Sequence, residues 1–134
     1  MKRSQIYIIN GPPIPWARAG LNRSTGTIYD TQLGEKFDYQ LQLKQQQDIN
    51  GFFKGPIHID VTFFMAIPKS WSAKKADENR GKPHAKKPDF SNLLKFIEDA
   101  ATGILYIDDC LIYAVTGRKI YDDCPRTEIT LREI

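Results

Sequence analysis

Between Lys86 and Asp109 the chain reads KKPDFSNLLKFIEDAATGILYIDD, which places Asp89 six residues ahead of Lys95 and ends on the pair Asp108–Asp109. Carboxylates that converge bind a hard, oxygen-seeking cation such as Mg²⁺. A cation of that kind polarises a phosphate, and a neighbouring lysine stabilises the charge that develops. The stretch therefore reads as a metal-carboxylate site for a phosphate-rich substrate. A plainer account uses the same residues. Lys95 and Asp99, four apart, form a surface ion pair, Asp89 is a helix N-terminal anion, and Asp108–Asp109 is a turn.

A helix must position these groups. Pro88 keeps Lys87 out of helical geometry, so the helix begins no earlier than about Asp89, with Ser91 as the expected N-cap. At 100° per residue, Ser91, Asn92, Lys95, Glu98, Asp99 and Thr102 share one face. Leu93, Phe96, Ile97, Ala100 and Ala101 share the other, with Leu94 at its margin. Gly103 stops the helix. If residues 104–107 run extended and return along it, Asp109 approaches Asp89.

The segment leading in, residues 68–88, carries Lys69, Lys74, Lys75, Arg80, Lys82, Lys86 and Lys87 against only Asp77 and Glu78. This is an electrostatic footprint for a polyanion on a chain whose net charge is only +3. It reads as a basic loop. An earlier segment rich in Pro and Gly, GPPIPWARAGLNRSTGTIYD, reads as a surface loop. Its Arg18 and Arg23 suit phosphate contacts, while Trp16 either stacks on nucleic acid or, as preferred here, plugs the edge of the core.

The remaining elements follow from periodicity. Residues 5–9 read as a strand. Residues 31–49 read as a helix with Leu33, Phe37, Leu41 and Lys44 on one stripe, Asp30 or Thr31 as N-cap and Asn50–Gly51 as its stop; its glutamine-rich second half reads as a solvated face. In residues 56–68, Ile57, Ile59, Val61 and Phe63 alternate with polar residues, and the far end is expected to be buried on both faces. His58 falls on the exposed side. Residues 111–121 and 127–134 read as two strands joined by a hairpin loop. The order β-α-β-α-β-β predicts a single α+β domain over residues 1–134, a mixed sheet carrying two helices.

Composition narrows the setting. A hydrophobic content of 41% with 26% charged residues fits a soluble globular domain. No apolar run is long enough to span a bilayer and no signal peptide is read, so a cytoplasmic location is expected, with no membrane partner. Cys110 and Cys124 lack zinc-type spacing and are expected as reduced thiols; the aspartates before Cys110 argue against a nucleophile.

The run KPDFSNLLKFIEDAATGILYIDDCLI resembles the signature of the RusA family of Holliday-junction resolvases, approximately K-P-D-x-D-N-L-x-K followed by D-A-x-x-G-x-x-x-x-D-D. SWSAKKADENRGKPHAKKP is similar to that family's basic loop, and IPWARAG to its N-terminal segment. The resemblance implies a homodimer that nicks branched DNA, commonly four-way junctions, using Mg²⁺ with Mn²⁺ as a substitute and no organic cofactor. It implies catalytic roles for Asp89, Lys95 and Asp109, cation binding by Asp89, Asp108 and Asp109, and DNA contacts from Arg18, Lys69, Lys74, Lys75, Lys86 and Lys87. Ser91 departs from the pattern, standing where the family usually has a second acidic residue. A hydroxyl there gives a cation less charge, so Ser91 is either a tolerated ligand or the mark of a junction-binding protein with impaired or no cleavage.

Overall fold

The computed structural model describes residues 2–134. The strands are β1 (Ser4–Asn10), β2 (Gly20–Asn22), β3 (Thr27–Tyr29), β4 (Ile57–Ala66), β5 (Ile112–Asp122) and β6 (Arg126–Glu133). The helices are α1 (Leu33–Gln46), α2 (Ala73–Asn79) and α3 (Phe90–Ala101). The main sheet runs β1-β6-β4-β5, with β2 and β3 forming a separate two-stranded ribbon. The expected α+β domain is present, enlarged by that ribbon and by a third helix.

Period-2 alternation fixes which sheet face is covered. Tyr7 pairs with Ile129, Ile129 with Val61 and Val61 with Gly117, so one row of inward residues crosses all four strands. Ile57, Ile59, Val61, Phe63 and Met65 of β4 are all buried. The expectation that the far end of β4 is buried on both faces is not met. Phe64 is half-buried on the outer face, where the Arg126 guanidinium lies 3.7 Å from its ring centroid. His58 lies on that outer face too, within 2.9 Å of Thr116 Oγ1.

The joint between β5 and β6 is not a hairpin. β5 runs parallel to β4 and β6 antiparallel to it, so β4 lies between them and residues 123–125 cross its end. A short connection does not by itself make its flanking strands neighbours. The parallel pair instead needs a long crossover, supplied by residues 67–111 with α2 and α3.

α1 buries Tyr39 and Leu43, whereas Leu33, Phe37 and Leu41 are exposed. Tyr39 meets Phe96 of α3 edge-to-face at 5.0 Å, and this contact sets the rotation of the helix. Its N-cap is Gln32 and its C-cap Gln47, inside the expected limits. The glutamine tract is no solvated face. Gln46 Oε1 accepts from Ile8 N at 2.7 Å and its Nε2 donates to Ile8 O at 2.7 Å, while Gln42 spans Asn10 N and O at 2.8 and 3.1 Å. These amides occupy the free edge of β1, which would otherwise be open to another strand.

α2 corrects the reading of residues 68–88 as loop throughout. Ser72 caps it by accepting from Lys75 N, and with no buried residue it shows no amphipathic pattern. Beyond it, residues 81–84 pair with β5: Gly81 N donates to Tyr121 O, Tyr121 N to Lys82 O, and His84 N to Lys119 O. Among the described residues no helix is long and apolar enough to cross a membrane.

Candidate active site

α3 has the amphipathic split its sequence demands: Leu93, Phe96, Ile97, Ala100 and Ala101 are buried, and Ser91, Lys95 and Asp99 exposed. Its N-cap is Asp89 rather than Ser91, which sits within the first turn. The Asp89 carboxylate makes no capping bond. It accepts instead from Lys87 Nζ at 2.8 Å, which holds its pKa below the ordinary value. Gly103, at φ 82°, ends the helix as expected.

Residues 104–106 form a buried turn rather than an extended return. Ile104 N and Leu105 N both donate to Ala101 O, while Gln47 Nε2 and Phe53 N fix the turn from outside through Ile104 O and Leu105 O. This turn delivers Asp109, at the start of a single 3₁₀ turn (Asp109–Leu111), to the polar face of α3. There Ser91, Leu94, Lys95, Glu98, Asp99, Asp109 and Trp16 line a cleft of about 370 Å³.

Lys95 does not pair with Asp99, because Asp99 accepts from Lys36 of α1 at 2.7 Å. Lys36 also reaches Asp30 at 2.9 Å, and both hydrogen bonds raise its pKa. Lys95 Nζ instead lies 3.6 Å above the centre of the Trp16 ring, a cation–π contact. The N-terminal loop is docked here by Trp16 N, which donates to Asn92 O at 2.9 Å, and by Gln32, which spans Ala17 N and Pro15 O. Trp16 thus packs at the core edge, as preferred, and also holds a cation in the cleft.

The carboxylates of the cleft crowd one another. The pKa of Asp109 is raised, first by the hydrogen bond it shares with Asp108, then by desolvation and the charges of Asp108 and Asp99. Asp108 is shifted down, by the Cys110 N–H and by the hydrogen bond with Asp109. Burial pushes Glu98 up, and the Asp109 charge adds to it. Oxygen donors in mutual repulsion are those a divalent cation relieves, so the chemistry of this donor set fits one. Among the described residues, however, no three acidic, histidine or cysteine side chains converge as they stand.

Of the expected set, Asp89 lines not this cleft but a second opening of about 630 Å³, with His84, Ala85, Lys86, Lys87, Phe90 and Lys119. Lys119 Nζ donates to Lys86 O and Pro88 O, both at 2.7 Å, fixing the approach to Asp89. Sequence reasoning missed Lys119, though its parity in β5 is shared with the inward-facing Gly117. Of the expected DNA contacts, Lys86 and Lys87 line this groove; Lys69, Lys74 and Lys75 are exposed along residues 69–75, and Arg18 on the N-terminal loop. Cys110 and Cys124 are free and exposed, and the Cys110 thiol is pushed up by desolvation and then by Asp108.

The family model of Endodeoxyribonuclease RusA matches residues 10–132. The chain is 28% identical over 140 residues to the crossover junction endodeoxyribonuclease RusA of Lactococcus phage r1t, covering 100% of both chains. It is 27% identical over 136 residues to the uncharacterised protein YqaN of Bacillus subtilis strain 168, covering 96% of this chain and 95% of that one.

Proposed function

The chain belongs to the RusA family of endodeoxyribonucleases, and from that membership we propose that it is a metal-dependent endonuclease that nicks branched DNA. The substrate is the four-way (Holliday) junction, cut by phosphodiester hydrolysis in recombination and repair. The protein acts in the cytoplasm as a homodimer, because two-fold symmetry sets paired sites against opposed strands. The cofactor is Mg²⁺, with Mn²⁺ as a substitute. The observation that supports this most is the cleft that sets Lys95 beside Ser91 and Asp109.

Asp108 and Asp109 would hold the cation, with Asp89 and Ser91 at the helix start. When bound, the cation supplies Lewis-acid polarisation of the scissile phosphate. The Asp89–Lys87 link is exposed and therefore weak, so Asp89 is available to it. Lys95 has no carboxylate partner among the described residues and neutralises charge on the phosphate as the transition state forms. Arg18, Lys69, Lys74, Lys75, Lys86 and Lys87 contact backbone phosphates, which makes binding salt-sensitive.

A second reading, binding without cleavage, draws on the neutral Ser91 and on Lys87 occupying Asp89. Purified protein incubated with a labelled four-way junction across a Mn²⁺ titration separates the two. The nuclease reading expects nicked product, lost in Asp89→Asn. A junction that is bound yet intact throughout the titration supports binding alone.

A further inference from the structure

Outside the cleft, the basic segment carries an aromatic surface with no part in the steps above. Trp71 is half-buried just ahead of α2, its ring centroid 5.1 Å from that of Tyr121, which lies 4.8 Å from His84. Two ammonium groups lie over the indole, Lys75 Nζ at 4.6 Å and Lys86 Nζ at 5.8 Å from its centroid. The pairing of residues 81–84 with β5 holds Tyr121 and His84 in place, and Arg80 ties α2 to the turn after β5 through Asp123 at 2.8 Å. His84 and Lys86 also line the groove that holds Asp89, so the aromatic surface continues that groove away from the candidate site.

We propose that Trp71 is a stacking site for an unpaired nucleobase of a DNA strand lying in this groove, with Lys75 and Lys86 leaving the ring for the flanking phosphates. The identity of the ligand as DNA rests on the nuclease reading; the stacking itself rests on the platform. An exposed cation–π contact is weaker than a base stacked on an aromatic ring, and each displaced ammonium gains a charge-assisted partner. The exchange therefore favours the base. Paired bases within a duplex present no free face to the indole, so the platform selects unpaired strand over duplex.

The test uses the full chain in EDTA, so that binding is read without cleavage. Affinity is measured by fluorescence anisotropy for oligo(dT), an abasic oligomer of equal length, and a blunt duplex. Trp71→Leu is expected to weaken oligo(dT) binding about tenfold while leaving the abasic and duplex ligands within about twofold, and Trp71→Phe to retain most of the affinity. In Trp16→Phe, Trp71 is the remaining indole of the chain's two, and oligo(dT) but not the abasic oligomer should quench its emission. This arm reads the native Trp71 and holds even where Trp71→Leu fails to fold. Equal weakening for all three ligands, or emission that oligo(dT) leaves unchanged, overturns the proposal. Quenching in Trp16→Phe beside a wild-type chain that cuts no junction defeats the nuclease reading alone; a wild-type chain that cuts while Trp71 stays silent in Trp16→Phe defeats this inference alone.

Discussion

Gly117 of β5 lies beneath Phe90, the first residue of α3, and substituting alanine there probes how the sheet sets the start of that helix. A Cβ at Gly117 would collide with Phe90 Cζ and stand 2.9 Å from Phe90 Cε2 and 3.1 Å from Val61 Cγ1, where ordinary contact begins at 3.4 Å. The ring must therefore withdraw by about 1 Å, against the edge-to-face partner Phe63 at 5.5 Å. Overpacking of this kind costs about 1–3 kcal/mol, which lowers Tm by roughly 3–12 °C for a chain of this size. Phe90 directly follows Asp89, so any part of the shift that the ring passes to the α3 backbone reaches the site. A shift near 1 Å reduces turnover by up to about 100-fold. Thermal melts and single-turnover junction cleavage would be run on Gly117→Ala, Phe90→Leu and the double variant. If the clash is the cause, alanine costs about 1 kcal/mol less once the ring is gone. An equal cost in both backgrounds would refute the reasoning.

Other outcomes follow from the same geometry. Gln46→Ala removes both hydrogen bonds to Ile8 and should cost about 1–2 kcal/mol in urea unfolding, with concentration-dependent association through the uncovered β1 edge; an unchanged midpoint would contradict the edge role. The Asp122 pKa is lowered by the Cys124 N–H and by Arg126, so its contribution is present above the unfolded value near 3.8 and is lost as pH falls through the depressed folded one. The stability gap between wild type and Asp122→Asn should therefore be constant at neutral pH and close only in acid; a gap that closes on raising the pH would reverse the sign. Ser91→Asp adds a carboxylate beside Asp109 and should lower the Mg²⁺ concentration giving half-maximal cleavage by about tenfold or more; an unchanged requirement would exclude Ser91 from the cation's surroundings.

How much of this was legible in the sequence depends on where each residue's neighbours come from. α3 could be read almost entirely, because its apolar period, Pro88 before it and Gly103 after it are local signals. Asp109 is expected beside Asp89 after an extended return, whereas a buried turn brings it to the cleft on the α3 polar face and Asp89 lines another opening; Ile104, Leu105 and Tyr106 look equally like a strand. α1 was given the wrong face, because Leu33, Phe37 and Leu41 are as apolar as the buried Tyr39 and Leu43 and only the contact with Phe96 chooses between them. The Gln42 and Gln46 contacts, the β5–β6 crossing and the Lys119 anchor are long-range pairings. No local pattern encodes them. The Lys95–Asp99 pair failed for the same reason: a lysine on another helix took the aspartate.

The most direct measurement is Mg²⁺-dependent strand cleavage of a labelled four-way junction by wild type and Asp109→Asn, with linear duplex of the same sequence alongside. The account predicts nicks in the junction by wild type only, abolished by EDTA, with the duplex intact and the variant still folded and able to bind the junction. Cleavage by Asp109→Asn at the wild-type rate, or cleavage of junction and duplex alike, would contradict it.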